Sequence, residues 1–265
     1  MSDLQLGKRP AQPRPTDLQW SALAVRIQLP AVPARFGHAN MFQDWWMLGN
    51  GPDDTVAPGF QGAGDCVWAG AAHEHRMINK LVHQVDIQFT GKDVISDYEA
   101  VTGYDPNDPS TDNGTDVHQA LDYRRKVGIR DAQGKRHKIG AYVAIDPKDW
   151  DHLRQAAFIF GAVGIGFEFP NSAWDQFDHG RPWDVVANDG GNDGGHYVPI
   201  MGAPDADKVG VVTWGKRQEM TRAFYEKYND ESWVYITPEE LNEKGAGLHG
   251  FDMTKLNQFL SALKK

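Results

Sequence analysis

One stretch limits what this chain can fold into more than any other: Gln61-Gly-Ala-Gly-Asp-Cys66-Val-Trp-Ala-Gly-Ala-Ala72, which holds the only cysteine among 265 residues. Glycines and an aspartate lead into an apolar run at helical spacing, with Val67 and Ala71 on one face and Trp68 and Ala72 beside it. The spacing predicts a helix that opens at Cys66 and continues past His73, Glu74 and His75 towards Leu81 and Val82. A thiol in a first helical turn meets unpaired N–H groups and the positive end of the helix dipole, both of which favour the nucleophilic thiolate. The carboxylate of Asp65 opposes that ionisation. A cysteine so placed needs a basic partner from elsewhere in the chain.

Gly194-Gly195-His196-Tyr197-Val198-Pro199-Ile200-Met201-Gly202 supplies a candidate. The paired glycines let another part of the chain approach closely, and the alternating apolar residues beyond them make a strand with His196 at its mouth. An imidazole facing a helix-start thiol takes the thiol proton and returns it to the leaving group. The bland reading is that a lone cysteine is a small buried hydrophobe and that nine other histidines have no such role.

The remaining pattern is that of an α+β protein with a helical half followed by a strand-rich half. Residues 1–40, rich in proline and arginine, read as an extended arm with one short strand near Leu23–Leu29. They are too short to resemble the folding and inhibitory pro-segment of secreted thiol proteases. Residues 41–265 form one domain, with a helical lobe over about 41–160, a β-rich lobe over about 161–240 and a C-terminal helix over about 250–265. Thr90 with Asp93 caps a second helix that Gly103 closes, and a third runs from Asp116 to Val127 with Gly128 as its stop. Asp146-Pro147 reads as the N-cap and first position of a fourth helix ending near Gly161. Strands are expected at Lys138–Ile145, Ala162–Phe169, His196–Met201, Val209–Trp214 and Trp233–Ile236.

No metal and no cofactor is expected. His73 and His75 stand at i and i+2, which point to different sides of a helix and cannot chelate one ion as i and i+4 histidines do. The loop Asp105–Asp116 invites a calcium reading. It has no EF-hand register, however, and Asp, Asn, Pro and Gly are turn residues, so it is read as a structural loop. The formal charge of −9 argues against nucleic-acid binding. No apolar run approaches the roughly 20 residues of a membrane span, and no signal peptide is visible. A single cysteine excludes an intramolecular disulfide. A cytoplasmic or phage-associated setting fits these features, and the oligomeric state is open.

Taken together, the two stretches resemble the papain and cathepsin superfamily of cysteine peptidases. Gln61 to Trp68 is similar to that family's Gln-Gly-x-x-x-Cys-Trp-Ala motif, with Gln61 one residue closer to the cysteine and Val67 inserted before Trp68. Ala162-Val-Gly-Ile-Gly166, Phe177-Asp-His-Gly180, Gly195 to Gly202 and Val212-Thr-Trp-Gly215 follow in the family's order, so the resemblance spans about residues 58–237. The Gly-Asp-Cys form and the Asp-Pro-Asn-Asp-Pro loop look most like papain-like proteins of phages and prophages. The resemblance implies a papain-like two-lobe fold, with Cys66 in the helical lobe and His196 in the antiparallel β-rich lobe. It also implies a cysteine hydrolase that cleaves a peptide or related amide of a peptide or protein substrate through an acyl-thioester.

In that scheme Cys66 attacks and His196 shuttles the proton. Gln61 with the Cys66 backbone N–H binds the oxyanion, with Asn50 as second choice, and Trp214 shields the histidine. The sequence departs from the family at Val212, which stands where the asparagine that orients the imidazole is expected. Thr213 offers a weak acceptor, but its place in the strand is expected to turn it to the other face. Trp174, Phe177 and Trp183 are cleft candidates or ordinary core aromatics. Two other readings use the same residues: a catalytically weak or inactive binding or structural protein, and a transglutaminase-type acyltransferase.

Overall fold

The structure, a computed structural model, describes residues 4–25, 29–37, 42, 44–237, 239, 247, 248 and 254. The expected C-terminal helix over 250–265 lies outside the described residues, apart from Thr254. α1 (Trp20–Ala24) and β1 (Phe36–Gly37) fall within the arm. Cys66 opens α2 (Cys66–His83), followed by α3 (Gly91–Thr102), a 3-10 turn at Pro109–Thr111 and α4 (Val117–Lys126). The rest of the chain runs β2 (Ile129–Arg130), β3 (Arg136–His137), β4 (Ala141–Ile145), α5 (Trp150–Phe160), β5 (Val163–Pro170), α6 (Ser172–Asp178), β6 (Asn192–Ala203), β7 (Lys208–Thr213), β8 (Lys216–Thr221), α7 (Arg222–Tyr228) and β9 (Asn229–Ile236).

The caps explain most boundaries. Thr90 Oγ1 accepts the Asp93 N–H and Gly103 closes α3 in the left-handed region, as the sequence implied. Asp116 accepts the Gln119 N–H at the start of α4. α5 corrects the expectation at Asp146-Pro147. The Asp146 carboxylate instead folds back on the Lys148 N–H at 2.9 Å and closes a turn, and the cap is Asp149, which accepts the His152 N–H at 2.9 Å. Where the arm's apolar stretch begins, Leu23 and Ala24 close α1 rather than a strand, and α1 buries Trp20 and Leu23 one helical turn apart in the core. Residues 26–28 lie outside the described residues.

Six strands order as β4-β9-β5-β6-β7-β8, antiparallel throughout, with β1 adding to β6. One face of this sheet packs on α1, α5 and α7 around Trp150, Phe160, Ile165, Ile200 and Phe224. The other face takes α2, α3 and α4 through Trp68, Tyr98, Leu121, Tyr197 and Tyr235. β4 and α5, which precede residue 161, join the sheet side of the molecule. Gly70 lets α2 lie against β6, because a Cβ there would stand 2.7 Å from the Tyr197 ring. That contact sets Cys66 beside the strand that carries His196. No helix among the described residues is long and apolar enough to cross a membrane.

Candidate active site

Cys66 is the first residue of α2 and is 2 % exposed. The backbone N–H groups of Tyr197 and Gly7 face its sulfur. His196, on β6, is fully buried. Its Nε2 lies 2.7 Å from Thr213 Oγ1, and its Nδ1 is buried without a hydrogen-bond partner. A buried ring nitrogen left unpaired costs about 1–3 kcal/mol. Packing of α2 on β6 therefore brings the thiol, the Tyr197 N–H and the His196 strand together, but thiol and imidazole share no hydrogen bond in this state.

Thr213 corrects the strand-parity expectation. Ile200 pairs with Val211 across β6 and β7, so odd residues of β7 share a face with the even residues of β6. Thr213 therefore stands on the side of His196, while Val212 points to the opposite face among Trp45, Met77 and Met201. The strand order held the answer, but the offset between β6 and β7 comes only from the pairing. Trp214 covers the ring, with centroids 4.2 Å apart and planes 14° from parallel. It occupies the first position of a two-residue hairpin turn with φ of 45°, and Gly215 follows at 69°. A non-glycine residue there costs about 1–2 kcal/mol. Phe167 and Phe169 meet the other sides of the imidazole edge-on, each at 5.8 Å. Phe177 and Trp183 are buried in the same aromatic cluster, and Trp174 stacks on Trp214 at 5.0 Å.

The oxyanion candidates separate. Gln61 is exposed, and its amide donates to the Gly59 carbonyl at 2.8 Å. Asn50 is 2 % exposed and donates to the Ala63 carbonyl at 3.1 Å, beside the buried Asp65. The loop from Gly51 to Gly62 puts Gln61 at the surface and leaves Asn50 inside.

The arm was not foreseen in this place. The Gly7 and Lys8 N–H groups donate to the Gly195 carbonyl at 3.1 and 2.9 Å, and Thr115 N–H donates to the Gly7 carbonyl at 2.7 Å. Arg9 N–H returns to the Thr115 carbonyl at 2.9 Å. The Trp214 indole N–H donates to the Gln5 carbonyl at 3.2 Å, and Gln5 N–H to the Asn50 carbonyl. Residues 5–9 thus lie extended between the two walls that carry Cys66 and His196. The paired glycines admit this segment. A Cβ on Gly195 would overlap the Lys8 carbonyl, and one on Gly7 would overlap the backbone of Gly64. Lys8 drives its stem past Gly166 and sets its ammonium 2.6 Å from Asp230 and 3.3 Å from Glu231.

This burial reverses the expected thiol chemistry. Burial, the largest cause, pushes the Cys66 thiol up to about 12, with Asp65 adding to the rise. Burial likewise lowers His196 to about 3. Asp65 itself is raised, first by burial and then by Asp112. Desolvation outweighs the helix dipole, so thiol and imidazole are both neutral here. The histidine pair of α2 diverges as its spacing implied. His73 meets Trp45 edge-on at 5.2 Å, whereas His75 faces Glu239. In the Asp105–Asp116 loop, Asp105 and Asp108 accept the N–H groups of Asn107 and Ser110, the local turns expected of these residues.

Neither a protein-family model nor a curated protein sequence matches the chain. Solved structures do. Xylellain, a cysteine protease from Xylella fastidiosa, superposes with a TM-score of 0.62 at 14% identity, covering 89% of this chain and 97% of that one. ProCathepsin B S9 from Trypanosoma congolense gives 0.57 at 11% identity, over 89% and 87% of the two chains. Digestive procathepsin L2 proteinase from Tenebrio molitor larval midgut gives 0.54 at 14% identity, over 88% and 78%. The fold is papain-like, with a mixed helical and antiparallel sheet architecture.

Proposed function

We propose that this protein is a papain-like cysteine hydrolase that cleaves peptide or related amide bonds, held latent by its own arm. The observation that carries the reading is the extended arm itself. The groove between Cys66 and His196 accepts a polypeptide in strand form and hydrogen-bonds its main chain to Gly195 and Thr115. When a substrate replaces the arm, Cys66 attacks the carbonyl and His196 Nδ1 takes the thiol proton. For that role Nε2 carries a hydrogen and donates to Thr213 Oγ1, which fixes the tautomer. Trp214 holds the ring plane. The Cys66 backbone N–H and the Asn50 amide, in place of Gln61, stabilise the oxyanion. The imidazolium gives that proton to the departing amine, and the acyl-thioester left on Cys66 then yields to water activated by the same, again neutral, imidazole.

Hydrolysis of a fluorogenic peptide by the full chain, after displacement of the arm, tests the reading. Cys66→Ala and His196→Ala are each expected to remove activity. Thr213→Val keeps the side-chain shape and deletes one hydrogen bond worth about 1.4 kcal/mol, so kcat/KM should drop about tenfold. Activity that persists in Cys66→Ala sinks the proposal. The buried, neutral thiol also suits a second reading, a binding protein on a papain-like frame. That reading is favoured if displacement of the arm exposes Cys66 without any hydrolysis.

A further inference from the structure

His75, on α2, stands 1 % exposed in the side chain and faces two residues from distant parts of the chain. Its Nδ1 lies 3.1 Å from Glu239 Oε2, and the Nδ1 of His137, on β3, lies 2.5 Å from Glu239 Oε1. The three donor atoms fall within 4.8 Å of one another. His75 Nε2 is buried without a partner, so Nδ1 is its working nitrogen. From these atoms we infer a binding site for one divalent cation of the zinc class, held by His75, His137 and Glu239.

Two histidines and one glutamate are an established donor set for tetrahedral zinc, with water in the fourth position. The groups behind these donors are those such a site needs. His137 Nε2 lies 2.9 Å from the carboxylate of Asp131, which is 3 % exposed, and this fixes the ring with Nδ1 towards the cation. Asn79 donates to Glu239 Oε2 at 2.7 Å and orients the glutamate. A solvated imidazole pair on a helix face would show neither support. A cation at Nδ1 takes the place of any hydrogen there, while Nε2–H keeps its bond to Asp131. One competing charge is Lys135, whose ammonium lies 3.9 Å from Glu239 Oε1 on a side chain 65% exposed, free to swing out. The buried Arg124 guanidinium also acts on His75 but is held by Glu74. A cation here ties the Cys66 helix to the residue three positions beyond β9. The spacing rule for one helix missed the site because only one of its histidines lies on α2.

The test is titration of the full chain with Co²⁺ and then Zn²⁺, after chelation and dialysis. It is run in parallel on Cys66→Ala so that the thiol is not counted. The expected result in both proteins is one Co²⁺ per chain with the intense visible absorption of a four-coordinate site, displaced by one Zn²⁺. Glu239→Gln and His137→Gln should weaken binding at least 100-fold, and Asp131→Asn about 10–100-fold. Lys135→Ala, which leaves the buried network intact, should tighten it, and this variant keeps the test decisive if a ligand variant fails to fold. Exposed His179→Ala should change nothing. No saturable Co²⁺ signal in Cys66→Ala, or binding that survives Glu239→Gln, overturns the site and leaves the three side chains as a hydrogen-bonded network.

Discussion

Gly7→Ala is expected to raise the alkylation rate of Cys66 by about 10²-fold near neutral pH. The added methyl overlaps the backbone carbonyl of Gly64, a rigid neighbour rather than a flexible side chain, so the arm must leave its track. Water then reaches a thiol that burial holds at about 12. A return to an ordinary value of about 8.5 raises the thiolate fraction by more than 10³. The lower basicity of that thiolate takes back roughly half of the gain on a logarithmic scale. The measurement is iodoacetamide labelling followed by intact mass, with exposed Arg9→Ala as the slow control. Equal rates for Gly7→Ala and the native protein would falsify the arm as the occluding element. Removal of residues 1–9 should give the same acceleration, which separates loss of cover from a local distortion at Gly64.

The largest expected loss of stability comes from Arg124→Met. Arg124 Nη2 lies 2.7 Å from Glu74 Oε2, both side chains are at most 2 % exposed, and the guanidinium covers the Tyr235 ring at 4.1 Å. The other oxygen of Glu74 accepts the Tyr197 hydroxyl at 2.8 Å, and Tyr197 in turn meets the Tyr235 hydroxyl. One carboxylate thus joins α2, α4, β6 and β9. Stripping its cation leaves a buried unpaired charge, a cost of about 3–5 kcal/mol. For a chain of this size that lowers the melting temperature by about 6–20 °C.

The pH dependence follows from the direction of the Glu74 shift. Burial, its largest cause, already raises the Glu74 pKa against the pull of Arg124, and without Arg124 the pKa rises further. A group raised in the folded state contributes stability below its unfolded pKa and loses it as pH climbs through the folded one. The deficit of Arg124→Met should therefore be larger at pH 8 than at pH 5. The double variant with Glu74→Met should recover most of the loss. Thermal melts of the four proteins across pH measure both effects, and a single-variant deficit that shrinks as pH rises contradicts the assignment.

The readable parts of this sequence were those where the cause is local. Thr90, Asp116, Gly103 and Gly128 mark helix ends because capping and left-handed turns act within a few residues. Short apolar runs located β5, β6, β7 and β9, which the sheet buries on both of its faces. β8, as Lys216–Thr221, escaped notice because five of its six residues are charged or polar on an edge strand. Asp146 misled because Asp149, three residues on, offers the same capping chemistry.

The sequence by itself determined the helix that begins at Cys66, the strand that carries His196, and the glycines that let backbone approach both. These follow from periodicity and from side-chain volume, which need no partner. Tertiary structure alone decided that Thr213 rather than Val212 meets the imidazole, because the offset between two strands fixes which face a residue joins. It also decided that the arm lies in the groove, that Asn50 is inside while Gln61 is outside, and that thiol and imidazole are both uncharged. Desolvation depends on everything that surrounds a group, and Gly7 and Lys8, which reach the thiol, lie nearly sixty residues from Cys66 along the chain.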